Sequence, residues 1–206
     1  MISVIDYGVG NLHSIVGALS AIGEDVKVTG DINDILSAEK IVLPGVGAFG
    51  DAADKLKETG LMDAVISRAK RGVPMLGVCL GMQLLFEKSY EYGKHAGLGL
   101  LAGDICPMKD DLTEKVKVPH MGWNSLVFEK PSPLTKYISE GDYVYYVHSY
   151  YAKNAGSSLS AYSEYGGLII PGIVSKANVF GCQFHPEKSG EVGLKILKAF
   201  SEVKGA

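Results

Sequence analysis

The run Val73-Pro74-Met75-Leu76-Gly77-Val78-Cys79-Leu80-Gly81-Met82-Gln83 constrains this chain more than any other segment. A short apolar stretch there meets a helical pattern at a cysteine with glycine two residues before and two after, which predicts a sharp strand-to-helix turn. Such a turn crowds the backbone, so small residues must flank it, and it pushes the central side chain outward. This is the cysteine form of the G-x-S-x-G nucleophile elbow, and the helix N-terminus that follows would stabilise a thiolate. Taken alone, a cysteine in apolar company is more often inert packing.

The rhythm of the first half fits such a turn. Val4 and Ile5 predict a strand, and Leu12, Ile15, Val16, Leu19 and Ile22 then recur at helical spacing, with Asn11 able to cap that helix. Strands follow at Val26 to Val28, Lys40 to Leu43 and Val73 to Val78, with a helical stripe at Leu61, Met62, Val65, Ile66 and Ala69 before the last. Alternation of this kind implies a parallel sheet covered by helices. Beyond Ala102 strands separated by turns take over: Gly103 to Cys106, Ser125 to Phe128, Asp142 to Val147, Leu159 to Tyr165, Leu168 to Ser175 and Val179 to Phe184. Gly166-Gly167 reads as a hairpin turn, and Gly193, Ile196, Leu197, Phe200 and Val203 line a closing helix. The expectation is an α/β fold forming one domain over residues 1–206, with a mixed sheet parallel at its centre and extended by antiparallel strands.

Composition narrows the function. Twenty Lys and Arg against 23 Asp and Glu leave a net charge of −3, which argues against nucleic-acid binding. Cys79, Cys106 and Cys182 are odd in number and widely spaced, so neither a disulfide framework nor a zinc site is expected. No basic, apolar leader opens the chain, and its apolar runs are broken by Gly and Pro well short of a membrane span. A soluble, cytoplasmic protein is expected.

A second motif could serve the cysteine. Residues two apart in an extended chain face one side, so His185 and Glu187 in Gln183-Phe184-His185-Pro186-Glu187 can meet, with Pro186 holding His185 extended. A carboxylate beside an imidazole fixes its tautomer and supports its charge, as in a Cys-His-acid triad. Both motifs fall at the C-terminal ends of strands, where open α/β sheets place their sites. A third motif, Gly45-Val46-Gly47-Ala48-Phe49-Gly50, spells the dinucleotide fingerprint but follows the third strand rather than the first. It reads instead as a tight turn or as a loop whose bare amides face a reacting oxygen. His13 and His95 read as surface residues. For His120 and His148, in polar-aromatic segments, spacing does not decide between packing and a partner surface.

Together these residues resemble the class I glutamine amidotransferases: a G-V-C-L-G-M-Q elbow, a P-G-V-G loop before it and a terminal H-P-E. Within that family the likeness is nearest to the glutaminase subunits of imidazole glycerol phosphate synthases. It is carried by Asp6 to Leu12, Pro44 to Phe49, Pro119 to Asn124 and Gln183 to Lys188. The resemblance implies a three-layer, flavodoxin-like fold in which Cys79 attacks the side-chain amide of L-glutamine, with His185 and Glu187 completing the triad. It also implies an oxyanion hole from the amide of Leu80 and the loop at Val46 and Gly47, whose inward turn would await a loaded partner. A missing oxyanion donor costs roughly a hundred- to a thousandfold in rate, enough to keep basal activity slight.

By the same resemblance Gln83, Glu91, Ser149 and Tyr150 bind glutamine, and Asn11, Trp123, Tyr143 and Lys188 face a partner. That partner is a separate (β/α)8 cyclase forming a heterodimer, since a barrel of about 250 residues has no room here. The cyclase would combine ammonia with a phosphoribulosyl-aminoimidazole-carboxamide nucleotide, giving imidazole glycerol phosphate and AICAR in histidine biosynthesis. No cofactor or metal is expected. The alternatives are a glutaminase serving anthranilate, aminodeoxychorismate or pyridoxal phosphate synthesis, a freestanding cysteine hydrolase, and a noncatalytic flavodoxin-like module.

Overall fold

The computed structural model describes residues 1–205. Its first half runs β1 (Ile2–Ile5), α1 (Leu12–Ala21), β2 (Val26–Thr29), α2 (Ile32–Ser37), β3 (Ile41–Leu43), α3 (Phe49–Glu58), α4 (Leu61–Lys70), β4 (Met75–Val78) and α5 (Leu80–Leu84). Next come β5 (Phe86–Ser89), β6 (His95–Ala96), β7 (Leu101–Pro107), β8 (His120–Ser125), β9 (Val127–Phe128) and β10 (Tyr143–His148). The chain ends β11 (Tyr150–Lys153), β12 (Leu159–Tyr165), β13 (Leu168–Lys176), β14 (Val179–Cys182) and α6 (Gly190–Ser201).

The main sheet has eight strands in the order β2-β1-β3-β4-β14-β13-β12-β9. From β2 to β14 every pairing is parallel, and β14, β13, β12 and β9 continue antiparallel. Strand side chains alternate between faces, and the apolar residues sort accordingly. Ile5, Ile41, Leu43 and Met75 pack with the helices α2, α3 and α4. Ile2, Val4, Val42, Leu76 and Val78 pack with α1 and α6 on the other side. Both faces are thus buried, as parallel strands require, and the result is three layers.

The antiparallel extension forms as the strand pattern anticipates, and Gly166-Gly167, both with positive φ, turn β12 into β13. Other strands depart from the expected single sheet. β10 pairs only with β8, and β11, β7, β5 and β6 make a third sheet. The β8–β10 ribbon buries one face only, so β8 was legible as a polar-aromatic segment but not as a strand. Helices α2 and α3 and the strands β5, β6 and β11 also carry no signal in the sequence reading. β14 stops at Cys182, short of Phe184.

The elbow follows from sterics. Cys79 sits between β4 and α5 at φ 54°, a left-handed conformation that costs a non-glycine residue energy and is held by its surroundings. A Cβ on Gly77 would lie 2.6 Å from the Gly81 carbonyl oxygen, and one on Gly81 would lie 1.8 Å from the Leu43 oxygen. The two glycines therefore let β4, α5 and the end of β3 close on one another.

Gly81→Ala should accordingly cost about 3 kcal/mol or more in urea unfolding. Gly17→Ala, at an exposed helix position with nothing within 4 Å of the added carbon, should stabilise by about 0.5–1 kcal/mol.

Candidate active site

Parallel pairing of β14 with β4 sets Cys182 beside Val78, and the Cys79 amide donates to the Cys182 carbonyl at 2.7 Å. Whatever follows β14 therefore lies beside the elbow. The chain leaves the strand through Gln183 and Phe184, reaches His185 in extended conformation, and turns through a short 3₁₀ segment, Pro186–Lys188. His185 and Glu187 meet in this turn, not along a continuing strand as period-two spacing suggests. A Cβ on Gly193 would fall 1.8 Å from the Pro186 oxygen, so α6 lies directly against the turn.

His185 Nδ1 and Glu187 Oε1 are 2.8 Å apart and both side chains are buried. Glu187 Oε2 is buried without a partner among the described residues, so the carboxylate is committed to the imidazole. Burial opposes charge on His185, but the Cys79 sulfur and the Glu187 carboxylate outweigh it and hold the pKa up to about 9. Gln183, fully buried, directs its amide at the Cys79 sulfur from 4.0 Å and accepts from Gln83 at 3.0 Å.

A cleft of about 460 Å³ opens above the sulfur, lined by Val46, Gly47, Leu80, Gln83, Glu91, Tyr92, Lys109, His148, Ser149, Tyr150 and His185 among others. Every residue expected to bind glutamine or to form the oxyanion hole borders it. The amides of Val46 and Gly47 donate to no group among the described residues, and Gly47 has φ +100°. Gln83 also donates to the Tyr150 carbonyl at 3.0 Å, tying α5 to the start of β11. Glu91 accepts from the Phe49 amide at 2.6 Å, at the start of α3 where Ala48 offers no side-chain cap. Burial raises the Glu91 pKa, with the Phe49 hydrogen bond and His95 opposing. Two of the G-x-G-x-x-G glycines serve close approaches: Gly45 against the elbow, and Gly50 under the ring of His95. His95, expected at the surface, covers the first turn of α3.

His120 and His148 are buried, and their protons can be placed. The Tyr150 carbonyl only accepts, so His148 Nδ1 donates to it at 2.9 Å and His148 Nε2 must accept from His120 Nδ1 at 3.0 Å. His120 Nε2 then accepts from Asn124 Nδ2 at 3.3 Å, completing a line from β8 to the cleft. Burial depresses His120 to about 4, and His148 to about 3 with the neighbouring histidines adding to the effect. His120 stacks between Tyr146 and Tyr165.

The expected partner-facing residues lie on α1, the Pro186–Lys188 turn and the β8–β10 ribbon, with the turn packed against both of the others. Trp123 and Tyr143, 55% and 58% exposed, stand on the outward face of the β8–β10 ribbon with Met121. The turn bearing exposed Lys188 packs against α1 and β10. Asn11 caps α1, accepting from the Ser14 amide at 3.4 Å. Tyr7 and Gln183 touch the nucleophile's surroundings, yet the sequence reading assigned neither a role. Gln183 stood in the quoted motif, and its zero exposure is the signal that was missing. Among the described residues no cluster of His, Cys, Asp and Glu is arranged for a metal, and no helix is long and apolar enough to cross a membrane.

A buried cysteine on a strained elbow, a carboxylate-held imidazole and unpaired loop amides around one cleft are the parts of an amide-hydrolysing cysteine enzyme. The chain belongs to the class-I glutamine amidotransferase family, whose family model matches residues 3–202. It is 50% identical over 201 residues to the imidazole glycerol phosphate synthase subunit HisH of Lactococcus lactis subsp. lactis, covering 98% of each chain. It is also 50% identical over 204 residues to the subunit of that name from Caldanaerobacter subterraneus subsp. tengcongensis, again with 98% of each covered. Among solved structures a glutamine amidotransferase superposes with TM-score 0.75 at 18% identity, covering 97% of this chain and 98% of that one. A chain of PurLQS from Thermotoga maritima gives 0.73 at 21%, covering 97% and 96%.

The shifted histidines predict the pH profile of stability. His120 and His148 are depressed, so their stabilising contribution is complete above the unfolded value of 6.5 and is lost as pH falls toward about 4 and 3. His185 is raised, so its contribution is complete below 6.5 and is lost as pH rises through about 9. Urea midpoints across pH 4 to 10 should decline on both sides. His148→Gln should flatten the acid limb, and His185→Gln the alkaline one.

Proposed function

We propose that this chain is the glutamine-hydrolysing subunit of an imidazole glycerol phosphate synthase and that Cys79, His185 and Glu187 perform the hydrolysis. The observation that carries the reading is the meeting of the Cys79 elbow with the buried His185–Glu187 pair at the floor of one cleft. The raised pKa of His185 favours an imidazolium beside the Cys79 sulfur. The thiolate attacks the side-chain amide carbon of glutamine, and the oxygen that gathers charge is received by the Leu80 amide and by the amides of Val46 and Gly47. His185 gives its proton to the departing ammonia, leaving a γ-glutamyl thioester. It then takes a proton from the attacking water, and glutamate is released. Glu187 keeps the imidazole in the orientation that serves both steps.

At the far end of the cleft Glu91 pairs with the substrate's ammonium group, while Ser149, Tyr150 and Gln83 fix its remaining polar atoms. Ammonia passes to a second subunit, for which we propose a (β/α)8 cyclase docked on the rim of Asn11, Trp123, Tyr143 and Lys188. Exposed aromatic residues on one ribbon face are the type that dominates binding energy at interfaces. The cyclase converts a phosphoribulosyl-aminoimidazole-carboxamide nucleotide and ammonia into imidazole glycerol phosphate and AICAR, in the cytoplasm and without a cofactor on this chain.

Glutamate release should be slight for the chain alone and rise by about a hundredfold or more when the cyclase subunit and its nucleotide are added. Equal rates would instead indicate a freestanding hydrolase. Cys79→Ala should abolish release and labelling by a glutamine-analogue alkylator. Trp123→Ala should weaken partner binding by about 2 kcal/mol in calorimetry while leaving labelling of Cys79 intact.

A further inference from the structure

The oxyanion loop is free in its middle and held at both ends. Tyr7 follows β1 at the C-terminal edge of the sheet and is buried, 4% exposed. Its hydroxyl donates to the Pro44 carbonyl at 2.9 Å, the last peptide oxygen before the loop glycine. A Cβ on Gly45 would lie 2.7 Å from that hydroxyl and 3.0 Å from the Gly81 amide nitrogen, so phenol, loop and elbow are in mutual contact. Burial raises the pKa of the phenol and the nearby Cys79 adds to the effect, so the hydroxyl keeps the proton it donates. At the other end Glu91 holds the Phe49 amide at 2.6 Å. Between these attachments the amides of Val46 and Gly47 make no hydrogen bond among the described residues.

We infer that Tyr7 is a positioning residue for glutamine hydrolysis: its phenol clamps the upstream end of the Pro44–Ala48 loop to the nucleophile elbow, and Glu91 clamps the downstream end. Only the peptides between the clamps can turn, so a donor brought inward arrives at a fixed place relative to the Cys79 sulfur. Hydrogen-bond donors stabilise an oxyanion only where it forms, and displacement by a fraction of an ångström forfeits much of the effect. The inference rests on the reading that this loop supplies an oxyanion donor.

The test uses the complex with the cyclase subunit and its nucleotide, comparing wild type with Tyr7→Phe, which removes only the hydroxyl. Three quantities are measured: kcat and KM for glutamine, the affinity for glutamate, and the affinity for glutamate γ-semialdehyde. The semialdehyde adds the Cys79 thiol to its carbonyl and becomes a tetrahedral hemithioacetal whose oxygen occupies the oxyanion site. The expected result is a fall in kcat and in semialdehyde affinity by the same factor, about ten- to a hundredfold, with KM and glutamate affinity little changed. Glu91→Gln, which keeps an oxygen for the Phe49 amide, should preserve the ratio of semialdehyde to glutamate affinity, and Glu91→Ala should lower it. That ratio does not depend on how much of a variant is folded.

Unchanged kcat and an unchanged ratio in Tyr7→Phe would overturn the proposal. So would a loss of both affinities in equal measure, which would mark Tyr7 as a general support of the cleft. If wild type itself binds semialdehyde no more tightly than glutamate, the oxyanion reading fails first, and the wild-type measurement alone reveals it.

Discussion

The approach of Gly81 to the Leu43 carbonyl is the constraint from which the rest of the site follows. It brings the start of α5 against the end of β3, forces Cys79 into its left-handed conformation, and leaves the next loop, Pro44 to Ala48, no course except across the mouth of the elbow. Parallel pairing of β4 with β14 then delivers His185 to the same edge. A nucleophile, its acid-base partner and a strip of free amides thus converge because three neighbouring strands end together. The cost is a strained residue, repaid by close packing on both faces of the sheet.

Histidines in this molecule show how environment divides one side chain into several roles. His185, although buried, is kept basic by a carboxylate and a sulfur, whereas His120 and His148 have no counter-charge and remain neutral far below neutrality. Their fixed tautomers form a polar line from Asn124 on the ribbon to the Tyr150 carbonyl, which also receives Gln83. A displacement of β8 would therefore be felt as a changed hydrogen bond beside the glutamine pocket. Neutral imidazoles suit that structural task, since they hold direction without storing charge.

The parts of the fold that were legible in the sequence are those whose environment is uniform along the chain. The parallel strands β1, β3 and β4 are buried on both faces and read as apolar runs, and α1 and α6 show their stripes. The Cys79 elbow was legible because sterics leave few residue types for it. β8 and β10 escaped a joint reading, because a ribbon wet on one side mixes aromatic and polar residues and its pairing is settled over a long separation. Tyr7 and Gln183 were invisible as site residues for another reason: each acts through one long-range contact, and no local pattern encodes the position of Pro44 or of Cys79. The His185–Glu187 meeting was anticipated on extended-strand geometry, while a 3₁₀ turn propped by Gly193 produces it.

The β8–β10 ribbon pairs with neither of the other sheets. The Cys79 elbow, the His185–Glu187 turn and the oxyanion loop reside at the edge of the main sheet, while the outward side chains of the ribbon, Met121, Trp123 and Tyr143, do not line the cleft. The two can therefore change independently in descent. Substitutions on that outward face can retune which molecule the chain docks with while the nucleophile keeps its neighbours, so one hydrolytic core can be lent to different synthases by rewriting a few exposed positions.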